Sequence, residues 1–436
     1  MQVKPFKAFR FDAAVVGDAG SCIAPPYDVI NDAQQEQLYE KSRHNIVRII
    51  KGKTSASDNG ESNQYTRAAE YLNDWISQGV LKRDSAEAIY GYVQDFELGG
   101  VQFQRLSFIA LAKLEEFGEV VKPHEQILNG PMIDRLNLQR ATAAGFGLIF
   151  MLYDDEQKIA DEIMTSAMTA EPLIDFVDEQ DVRHRLFAIT VGEQIEPIVA
   201  MMSNRSCIIA DGHHRYTTGL AYSKESSNPN AGYQMIAFSN TRQDGLVVLP
   251  THRLAYNLEN FSFDTLIADL GKNFQVTDFP VNSTQNKTEA KQKMLAKMRT
   301  EYQNGRNAFG IYGPNGEFYV AVLKDIHAMD SVAANMSSAW RALDVSVLHK
   351  LILDELLGID EGKLAAGENL QYVKDTPDAI DDSIAQVDSG RKQVAFFMNP
   401  VTISQMQMVT DAGERMPQKS TYFYPKVYTG LTINKF

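Results

Sequence analysis

The sequence predicts a mixed α+β protein built from two or three domains. Its 436 residues exceed the roughly 100–200 residues of an ordinary domain. Hydrophobic residues make up 44% of the chain and charged residues 22%, so the whole length can fold around apolar cores without a disordered block. Helix-like and strand-like segments both occur along the chain, which is why we predict a mixed fold.

The chain shows no targeting or membrane signal. Residues 1–11 carry three basic residues among apolar ones and lack the continuous apolar core of a secretory signal. No window approaches the roughly 20 apolar residues that span a bilayer. Cys22 and Cys207 are too few and too isolated for a disulfide framework or a thiolate zinc site. We therefore expect a cytoplasmic protein with no membrane partner.

The net charge of the chain indicates which classes of partner it can bind. A formal charge of −14 and a pI near 5.1 disfavour nucleic acid, because binding to its phosphate backbone relies on clustered Lys and Arg. A small anionic ligand needs only a few converging donors, so a local basic pocket is compatible with this charge. The oligomeric state is not indicated by the sequence.

Local patterns predict four elements in the first half of the chain. Residues 31–40 form a helix that Asn31 caps. Residues 64–78 form a longer amphipathic helix. Two strands flank Gly99-Gly100 as a hairpin. The apolar run at 146–153 is typical of a strand buried on both faces.

The second half predicts a separate module and then a return to helices. A module over residues 256–340 contains two helices, a strand, and a hairpin whose turn is Asn315-Gly316. The predicted helices lie at 263–271, 287–303, 344–357, 376–386 and 402–411. The predicted strands lie at 274–280 and 393–398, and an extended aromatic tail is expected at 421–424. This gives three regions, 1–255, 256–340 and 341–436, of which the last packs back on the first if it is not independent.

The segment Asp211-Gly212-His213-His214-Arg215 carries the clearest chemical signal. A strand at 207–210 precedes it and a helix at 216–223 follows it, so Gly212 permits close approach at a helix N-terminus, where anions bind. Arg215 offers a forked donor to a phosphate oxygen. His213 and His214 can donate hydrogen bonds or move protons, and Asp211 can hold a metal ion or orient a histidine. The alternative is that Asp211 caps the helix while the histidines pack beneath a loop.

Three further segments carry candidate site residues. In the first, Glu125 is a candidate general base, His124 is its alternate, and Arg135 is a candidate substrate contact. The alternative for this segment is ordinary surface ion pairing. In the second segment, prolines stiffen a loop that either presents Tyr27 and Asp28 to a ligand or only joins domains. In the third segment, Lys419 and Ser420 form either a phosphate contact or an ordinary polar turn.

Metal binding is expected only in a restricted form. The sequence contains no HExxH motif and no paired CxxC, so a structural zinc site is disfavoured. Magnesium that arrives with a nucleotide needs only one or two carboxylates, and Asp211 is the candidate. The other histidines, His44, His184, His252, His327 and His349, are expected to be structural or surface residues.

Ordered motifs give a family resemblance over nearly the whole chain. They are APPYDVI at 24–30, HEQILNGPMIDRLNLQRAT at 124–142, ADGHHRYTTGLA at 210–221, LPTHRL at 249–254, LDVSVLHKLIL at 343–353 and MPQKSTYFYPK at 416–426. With these motifs the chain resembles the bacterial and archaeal domain-of-unknown-function family 1015. That family name implies no activity.

A second, shorter resemblance suggests a function. Residues 207–221 are similar to the ParB and sulfiredoxin-like superfamily, in which such a turn binds nucleotide phosphates, and its free-serine kinases carry a related turn. The likeness implies a ParB/sulfiredoxin-like strand-turn-helix core in the candidate catalytic region 1–255, with Asp211, His213, His214 and Arg215 around the phosphates. This chain departs from those compact kinases by its length and its additional module.

We therefore expect a small-molecule kinase that uses ATP or ADP with Mg²⁺ to phosphorylate a hydroxyl compound, with free L-serine as the first candidate. Glu125 as the base comes from the residues of this chain and not from the likeness. Two alternatives stay open, a non-enzymatic nucleotide-binding regulator and a metal-dependent phosphatase. DNA binding in the ParB manner ranks last because of the acidic charge.

Overall fold

The computed structural model describes residues 1–125 and 130–436. The chain divides into two compact units, which we call unit 1 (residues 1–123, 127–247 and 423–436) and unit 2 (residues 124–126 and 248–422). In the described residues, no helix is long and apolar enough to cross a membrane. The domain boundaries that we predicted near residues 255 and 340 stay a prediction.

The strands are, in chain order, β1 (Val3–Lys4), β2 (Phe9–Phe11), β3 (Leu81–Arg83), β4 (Ile89–Leu98), β5 (Val101–Lys113), β6 (Val121–Pro123), β7 (Ala144–Gly145), β8 (Ile149–Tyr153), β9 (Ile174–Val177), β10 (Arg183–Ile189), β11 (Cys207–Asp211), β12 (Tyr233–Asn240), β13 (Val247–Leu249), β14 (Thr251–Ala255), β15 (Phe274–Phe279), β16 (Ala308–Tyr312), β17 (Phe318–Leu323), β18 (Leu370–Lys374), β19 (Val394–Phe397), β20 (Tyr422–Tyr424) and β21 (Asn434–Lys435).

The α-helices are α1 (Ala13–Val16), α2 (Asp32–Lys41), α3 (Val47–Ile50), α4 (Gln64–Ser77), α5 (Gly130–Thr142), α6 (Ile159–Ala167), α7 (Gly192–Ser203), α8 (His213–Glu225), α9 (Phe263–Leu270), α10 (Thr284–Gln303), α11 (Ala328–Val332), α12 (Ser338–Arg341), α13 (Asp344–Val347), α14 (Glu361–Ala366), α15 (Ala379–Asp388) and α16 (Ile403–Asp411). Short 3₁₀ turns cover Gly20–Cys22 and Pro229–Gly232, and α13 continues as a π-helical segment, Leu348–Asp354.

Unit 1 is built on a large mixed sheet with the order β6-β11-β8-β12-β5-β4-β10-β9, and β1 pairs with β5. The pairs β6/β11 and β8/β12 are parallel, whereas β8/β11 and β5/β12 are antiparallel. All five residues of β8 are buried, which confirms the prediction from its unbroken apolar run. Helices α6, α7 and α8 contact this sheet. Strand β11 thus lies beside the buried β8 strand and leads directly into α8.

The locally encoded elements of unit 1 agree with the sequence. Asn31 and Gln34 form the reciprocal hydrogen bonds of a capping box at the start of α2. Helix α4 buries Ala68, Leu72 and Trp75 on one face. The hairpin β4/β5 turns at Gly99-Gly100, with Leu98 opposite Val101. These predictions are confirmed.

Unit 2 is built on an antiparallel sheet with the order β15-β17-β16-β19-β14-β18. Its core packs Met294 and Met298 of α10 against strand residues such as Val320 and Phe397. The two predicted helices, the strand and the hairpin of residues 256–340 are present as α9, α10, β15 and the pair β16/β17. The sheet also contains β14, β18 and β19, so residues 251–255, 370–374 and 394–397 complete a sheet that the predicted module contains only in part. The coarse prediction of a mixed α+β protein is confirmed.

Candidate functional site

The turn between β11 and α8 has the predicted strand-turn-helix geometry. Gly212 is the N-cap of α8 and has a φ of 92°, a left-handed conformation that other residues rarely adopt. A Cβ atom built on Gly212 would lie 3.1 Å from Nε of Arg215. Glycine therefore permits both the turn and the close approach of the arginine. The N-cap residue of α8 is Gly212, and the Asp211 side chain accepts from the backbone N–H of Gly212.

Asp211 is surrounded by hydrogen-bond donors and positive charge. Its Oδ1 accepts from the backbone N–H of Gly212 at 2.9 Å, and its Oδ2 lies 3.2 Å from Nζ of Lys426 and 3.6 Å from Nη2 of Arg215. Burial would raise the pKa of Asp211, but Lys426 and Arg215 outweigh it and hold the pKa well below the usual range. The carboxylate is therefore ionised at neutral pH.

Arg215 folds back across the turn. Its Nη1 donates to the carbonyl of Leu148, and its Cδ would lie 3.3 Å from a Cβ on Gly147. Its side chain is only 11% exposed. The backbone at both glycines thus fixes the guanidinium, and its predicted role as a phosphate donor stays a prediction. Of the two histidines, His213 is buried and His214 is half-buried.

An open pocket, which we call the cavity, lies beside Arg215 in unit 1. Its lining includes Tyr27, Arg135, Gln139, Arg215 and Gln234. Gln139 and Gln234 are 9% and 6% exposed, and, among the residues that the structure describes, Oε1 of Gln139 and Nε2 of Gln234 have no hydrogen-bond partner. Buried polar atoms are normally bonded, so the two amides leave one acceptor and one donor for a ligand.

Arg135 and Tyr27 form one wall of this cavity. The guanidinium carbon of Arg135 lies 3.9 Å from the centroid of the Tyr27 ring, a cation–π contact. Nε of Arg135 donates to Asp134 Oδ2 at 2.9 Å, and its Nη1 donates to the carbonyl of Ile50 at 2.7 Å. Burial raises the pKa of Tyr27, and the charge of Asp28 adds to the shift. Asp28 itself is exposed.

The remaining predicted residues belong to unit 2. Nε2 of His124 lies 2.8 Å from Oγ1 of Thr421, and the backbone N–H of Met416 donates to the carbonyl of His124 at 2.8 Å. Glu125 forms an isolated parallel bridge with Met416. The segments at 124–125 and 416–421 therefore meet each other. Residues 126–129 of the same motif lie outside the described residues.

Lys419 and Ser420 have structural contacts in this segment. The Ser420 hydroxyl donates to the carbonyl of Pro417, and Ser420 is buried. Lys419 is exposed, has a φ of 57°, and accepts a hydrogen bond on its carbonyl from Arg253. Their predicted role in phosphate binding stays a prediction.

The fit of a metal ion at Asp211 is poor. Both carboxylate oxygens already accept from Gly212 or contact Lys426, and two cations balance the charge. Among the described residues, no group of three or more His, Cys, Asp or Glu side chains is arranged to hold a metal ion. The residues around Asp211 therefore favour an ion-pair role over metal binding.

Three residues of this region were missed in the sequence. Lys426 and Gln139 fall inside the quoted motifs at 416–426 and 124–142, but neither residue type in isolation indicates a site. Gln234 lies on β12 opposite Ala112 of β5 and lines the cavity. No local pattern distinguishes it.

Fold and site together define a mixed α+β protein in which a glycine-hinged strand-turn-helix lies beside a cavity lined by arginines and unbonded amides. The chain belongs to the family described as protein of unknown function DUF1015, whose model matches residues 3–346. The resemblance to this family that the sequence motifs indicated is confirmed. Among curated proteins, none matches the chain.

Several solved structures show a distant likeness. A free serine kinase in complex with AMP is 13% identical, has a TM-score of 0.34, and covers 70% of this chain and 83% of its own. A conserved hypothetical protein from Pyrococcus furiosus is 13% identical with a TM-score of 0.31, covering 72% of this chain and 95% of its own. A C-terminally truncated SbnI from Staphylococcus aureus is 9% identical with a TM-score of 0.35, covering 75% and 87%. These values transfer no residue role to this chain.

Proposed function

We propose that this protein binds a nucleotide in the cavity beside Arg215 and transfers its terminal phosphoryl group to a small hydroxyl compound, with free L-serine as the first candidate. The observation that carries the binding step is the pair of unbonded buried amides, Gln139 and Gln234, in a cavity that Arg135 and Arg215 also line. A nucleobase edge presents both donors and acceptors, which one amide oxygen and one amide N–H complement.

Two features support an anionic ligand here. Two guanidiniums, those of Arg135 and Arg215, line the cavity, and nearby carboxylates offset part of their charge. The N-terminus of the 13-residue helix α8 also favours phosphate groups. In this proposal Gly212 and Arg215 contact the phosphates, Tyr27 stacks near the base, and His213 and His214 donate hydrogen bonds.

Phosphoryl transfer itself is the finer part of the proposal. The acceptor hydroxyl oxygen attacks the terminal phosphorus, a new O–P bond forms, and the bridging P–O bond breaks to release ADP from ATP or AMP from ADP. We assign the hydroxyl proton to Glu125, with His124 as the alternate. The support for transfer is the sequence likeness at 207–221, and the support for Glu125 is its residue type.

The binding step is tested by calorimetry with ATP, ADP and AMP. Gln139→Leu and Gln234→Leu each remove one hydrogen-bonding partner and should weaken binding about 10-fold. Gln275→Leu, an exposed position on β15, is the matched control. Unchanged affinity in both cavity variants, or no binding of any nucleotide, would contradict the proposal.

The transfer step is tested by incubating the protein with ATP or ADP, magnesium and L-serine and detecting phosphoserine by mass spectrometry. Glu125→Gln should abolish the product and leave nucleotide affinity unchanged. If nucleotide binds but no product forms, the non-enzymatic regulator is favoured over the kinase. Release of inorganic phosphate without an acceptor would instead indicate a phosphatase.

A further inference from the structure

Thr429 places an unbonded hydroxyl in the wall of the cavity of unit 1. The residue lines the cavity and is only 2% exposed. Its N–H donates to the carbonyl of Ala24 at 2.8 Å, and the N–H of Ala24 donates back to its carbonyl at 3.1 Å, so the backbone is fixed. In the described part of the chain the hydroxyl makes no hydrogen bond. The hydroxyl is therefore held in place with its hydrogen bonds available for a ligand.

Arg215 brings a second donor to the same point. A Cβ atom built on Gly147 would lie 3.5 Å from Nη1 of Arg215 and 3.7 Å from Oγ1 of Thr429, and all three residues line the cavity. The two polar atoms therefore lie around one point, which the missing side chain of Gly147 leaves unoccupied. Nη1 carries two N–H groups, and among the described residues its one acceptor is the carbonyl of Leu148. One N–H thus remains for a ligand.

The charge around this point favours an anion. Among the described residues that line the cavity, two are arginines and none carries a carboxylate. The carboxylate of Asp211 is shared by two cations, because its Oδ2 lies 3.2 Å from Nζ of Lys426 and 3.6 Å from Nη2 of Arg215. One carboxylate between two cations leaves part of the charge of Arg215 uncompensated. A phosphate group has several acceptor oxygens and can bridge a guanidinium and a hydroxyl.

The segment that carries Thr429 forms part of the cavity wall. Residues 423–436 belong to unit 1 and follow unit 2 in the chain. Within this segment Asn434 lies opposite Gly145 in an antiparallel pair, and Gly145 lines the cavity. The same segment is bonded to Ala24 through Thr429. The cavity is therefore incomplete without these C-terminal residues.

We propose that Thr429 and Arg215 together bind one phosphate group of the ligand beside Gly147, which makes Thr429 a ligand-binding residue. The identity of that ligand as a nucleotide rests on the function proposed above. The phosphate subsite itself rests on the two converging donors, the glycine between them and the absence of carboxylates from the described lining of the cavity.

The experiment compares ligands with and without phosphate by calorimetry on the full-length protein. The ligands are ADP, pyrophosphate and adenosine. Thr429→Val keeps the shape of the side chain and removes its hydroxyl, so ADP and pyrophosphate should bind about 10-fold more weakly, because a hydrogen bond to a charged group is lost. The affinity for adenosine, which has no phosphate, should stay unchanged. Thr429→Ser restores the hydroxyl and should bind ADP nearly as tightly as the wild type.

Thr432→Val is the matched control in the same segment. Thr432 is also buried, its hydroxyl contacts Sδ of Met235 at 3.5 Å, and it is not among the described residues that line the cavity. This variant should bind all three ligands as the wild type does. Thr429→Val should keep the wild-type melting temperature, because the hydroxyl that it removes makes no hydrogen bond in the described structure.

Three results would overturn the phosphate subsite: no binding of pyrophosphate to the wild type, unchanged pyrophosphate affinity in Thr429→Val, or an equal loss of adenosine affinity in that variant. The last result would assign Thr429 to the nucleoside or to a structural role. If pyrophosphate binding depends on Thr429 but no nucleotide binds, the subsite stands and the proposed function fails. If nucleotides bind and Thr429→Val does not weaken them, nucleotide binding stands and the subsite fails.

Discussion

Arg105 and Arg253 are both fully buried, one in each unit, and they differ in how completely they are bonded. Arg105 donates through Nε and Nη2 to the Gln94 side chain, and through Nη1 and Nη2 to the carbonyls of Tyr424 and Pro425. Arg253 donates to two backbone carbonyls and leaves Nε without a partner in the described residues. Burial lowers the pKa of each to about 10.

The difference concerns how strongly each arginine holds its own unit together. Arg105 joins β5 to β4 and to the C-terminal segment of unit 1, and its guanidinium carbon lies 4.8 Å from the centroid of the Phe150 ring. A fully bonded buried network makes one arrangement rigid. Arg253 makes fewer hydrogen bonds, and its Nε has no partner in the described residues. Stability should therefore depend more strongly on Arg105 than on Arg253.

The largest expected effect is on stability when Arg105 is replaced. Arg105→Met leaves the Gln94 amide oxygen and the carbonyls of Tyr424 and Pro425 without their donor, at a cost of about 3 kcal/mol or more. Arg253→Met leaves fewer acceptors and removes an incompletely bonded charge, so it should cost about 1–2 kcal/mol. Urea unfolding of both variants measures this difference. Equal losses would remove the distinction between the two arginines.

The second prediction concerns the ion pairs of Asp211. Asp211→Asn leaves Lys426 and Arg215 facing each other and should cost about 2–3 kcal/mol at neutral pH. Because the folded-state pKa is depressed, the stabilisation is fully present above the usual value of 3.8 and is lost as the pH falls through the folded value. The difference in the free energy of unfolding between Asp211→Asn and the wild type should therefore stay constant near neutral pH and disappear in acid. Urea unfolding at several pH values measures it.

A matched control for this prediction lies on the surface of unit 1. Asp154 pairs with Arg242 at 2.6 Å, and both side chains are 46% exposed. Asp154→Asn should cost less than about 1 kcal/mol, because solvent screens exposed pairs. If the two variants lose the same stability, the pairing of Asp211 contributes no more than a surface ion pair.

The sequence predicted the features that neighbouring residues encode. The capping box at Asn31 and the hairpin at Gly99-Gly100 each depend on a few consecutive residues, and so does the turn from Asp211 to Arg215. Features that join distant residues were not predicted. The sheet of unit 2 pairs β14 with β18 and β19 from more than a hundred residues later, and no local periodicity records that pairing.

The same division holds at the candidate site. The cavity places Gln139 of α5 beside Gln234 of β12, and Asp211 meets Lys426 across 215 positions. The two glutamines stand out because they are buried with an atom that has no hydrogen-bond partner in the described residues, and Asp211 and Lys426 stand out because they form an ion pair. Only the folded chain shows these features.

The third prediction uses a buried carboxyl group of unit 2. Burial raises the pKa of Asp344 to about 7, against the hydrogen bonds from Asn307 and Asn399. A raised carboxyl pKa means that the folded state keeps its proton, so wild-type stability falls as the pH rises from the usual 3.8 towards about 7. The side chain in Asp344→Asn is uncharged at every pH. The free energy of unfolding of this variant should therefore rise by about 1–2 kcal/mol relative to that of the wild type between the two pH values.

This pH dependence has the opposite sign to that of Asp211→Asn, which makes the pair informative. Melting temperatures at about pH 4 and about pH 8 should show Asp344→Asn improving relative to wild type with rising pH. Asp381→Asn, an exposed position paired with Lys291, is the control and should show a flat difference. A flat difference for Asp344→Asn would mean that this carboxyl titrates normally.

The smallest effect is expected at Ser420, where stability and binding should separate. Its hydroxyl donates to the carbonyl of Pro417, so Ser420→Ala should cost about 1 kcal/mol. Because this hydroxyl is used within its own turn in unit 2, we expect nucleotide affinity to stay unchanged, whereas Gln139→Leu in unit 1 should reduce it. Urea unfolding and nucleotide calorimetry on the two variants measure both quantities. Reduced nucleotide affinity in Ser420→Ala would instead support the phosphate contact predicted from the sequence.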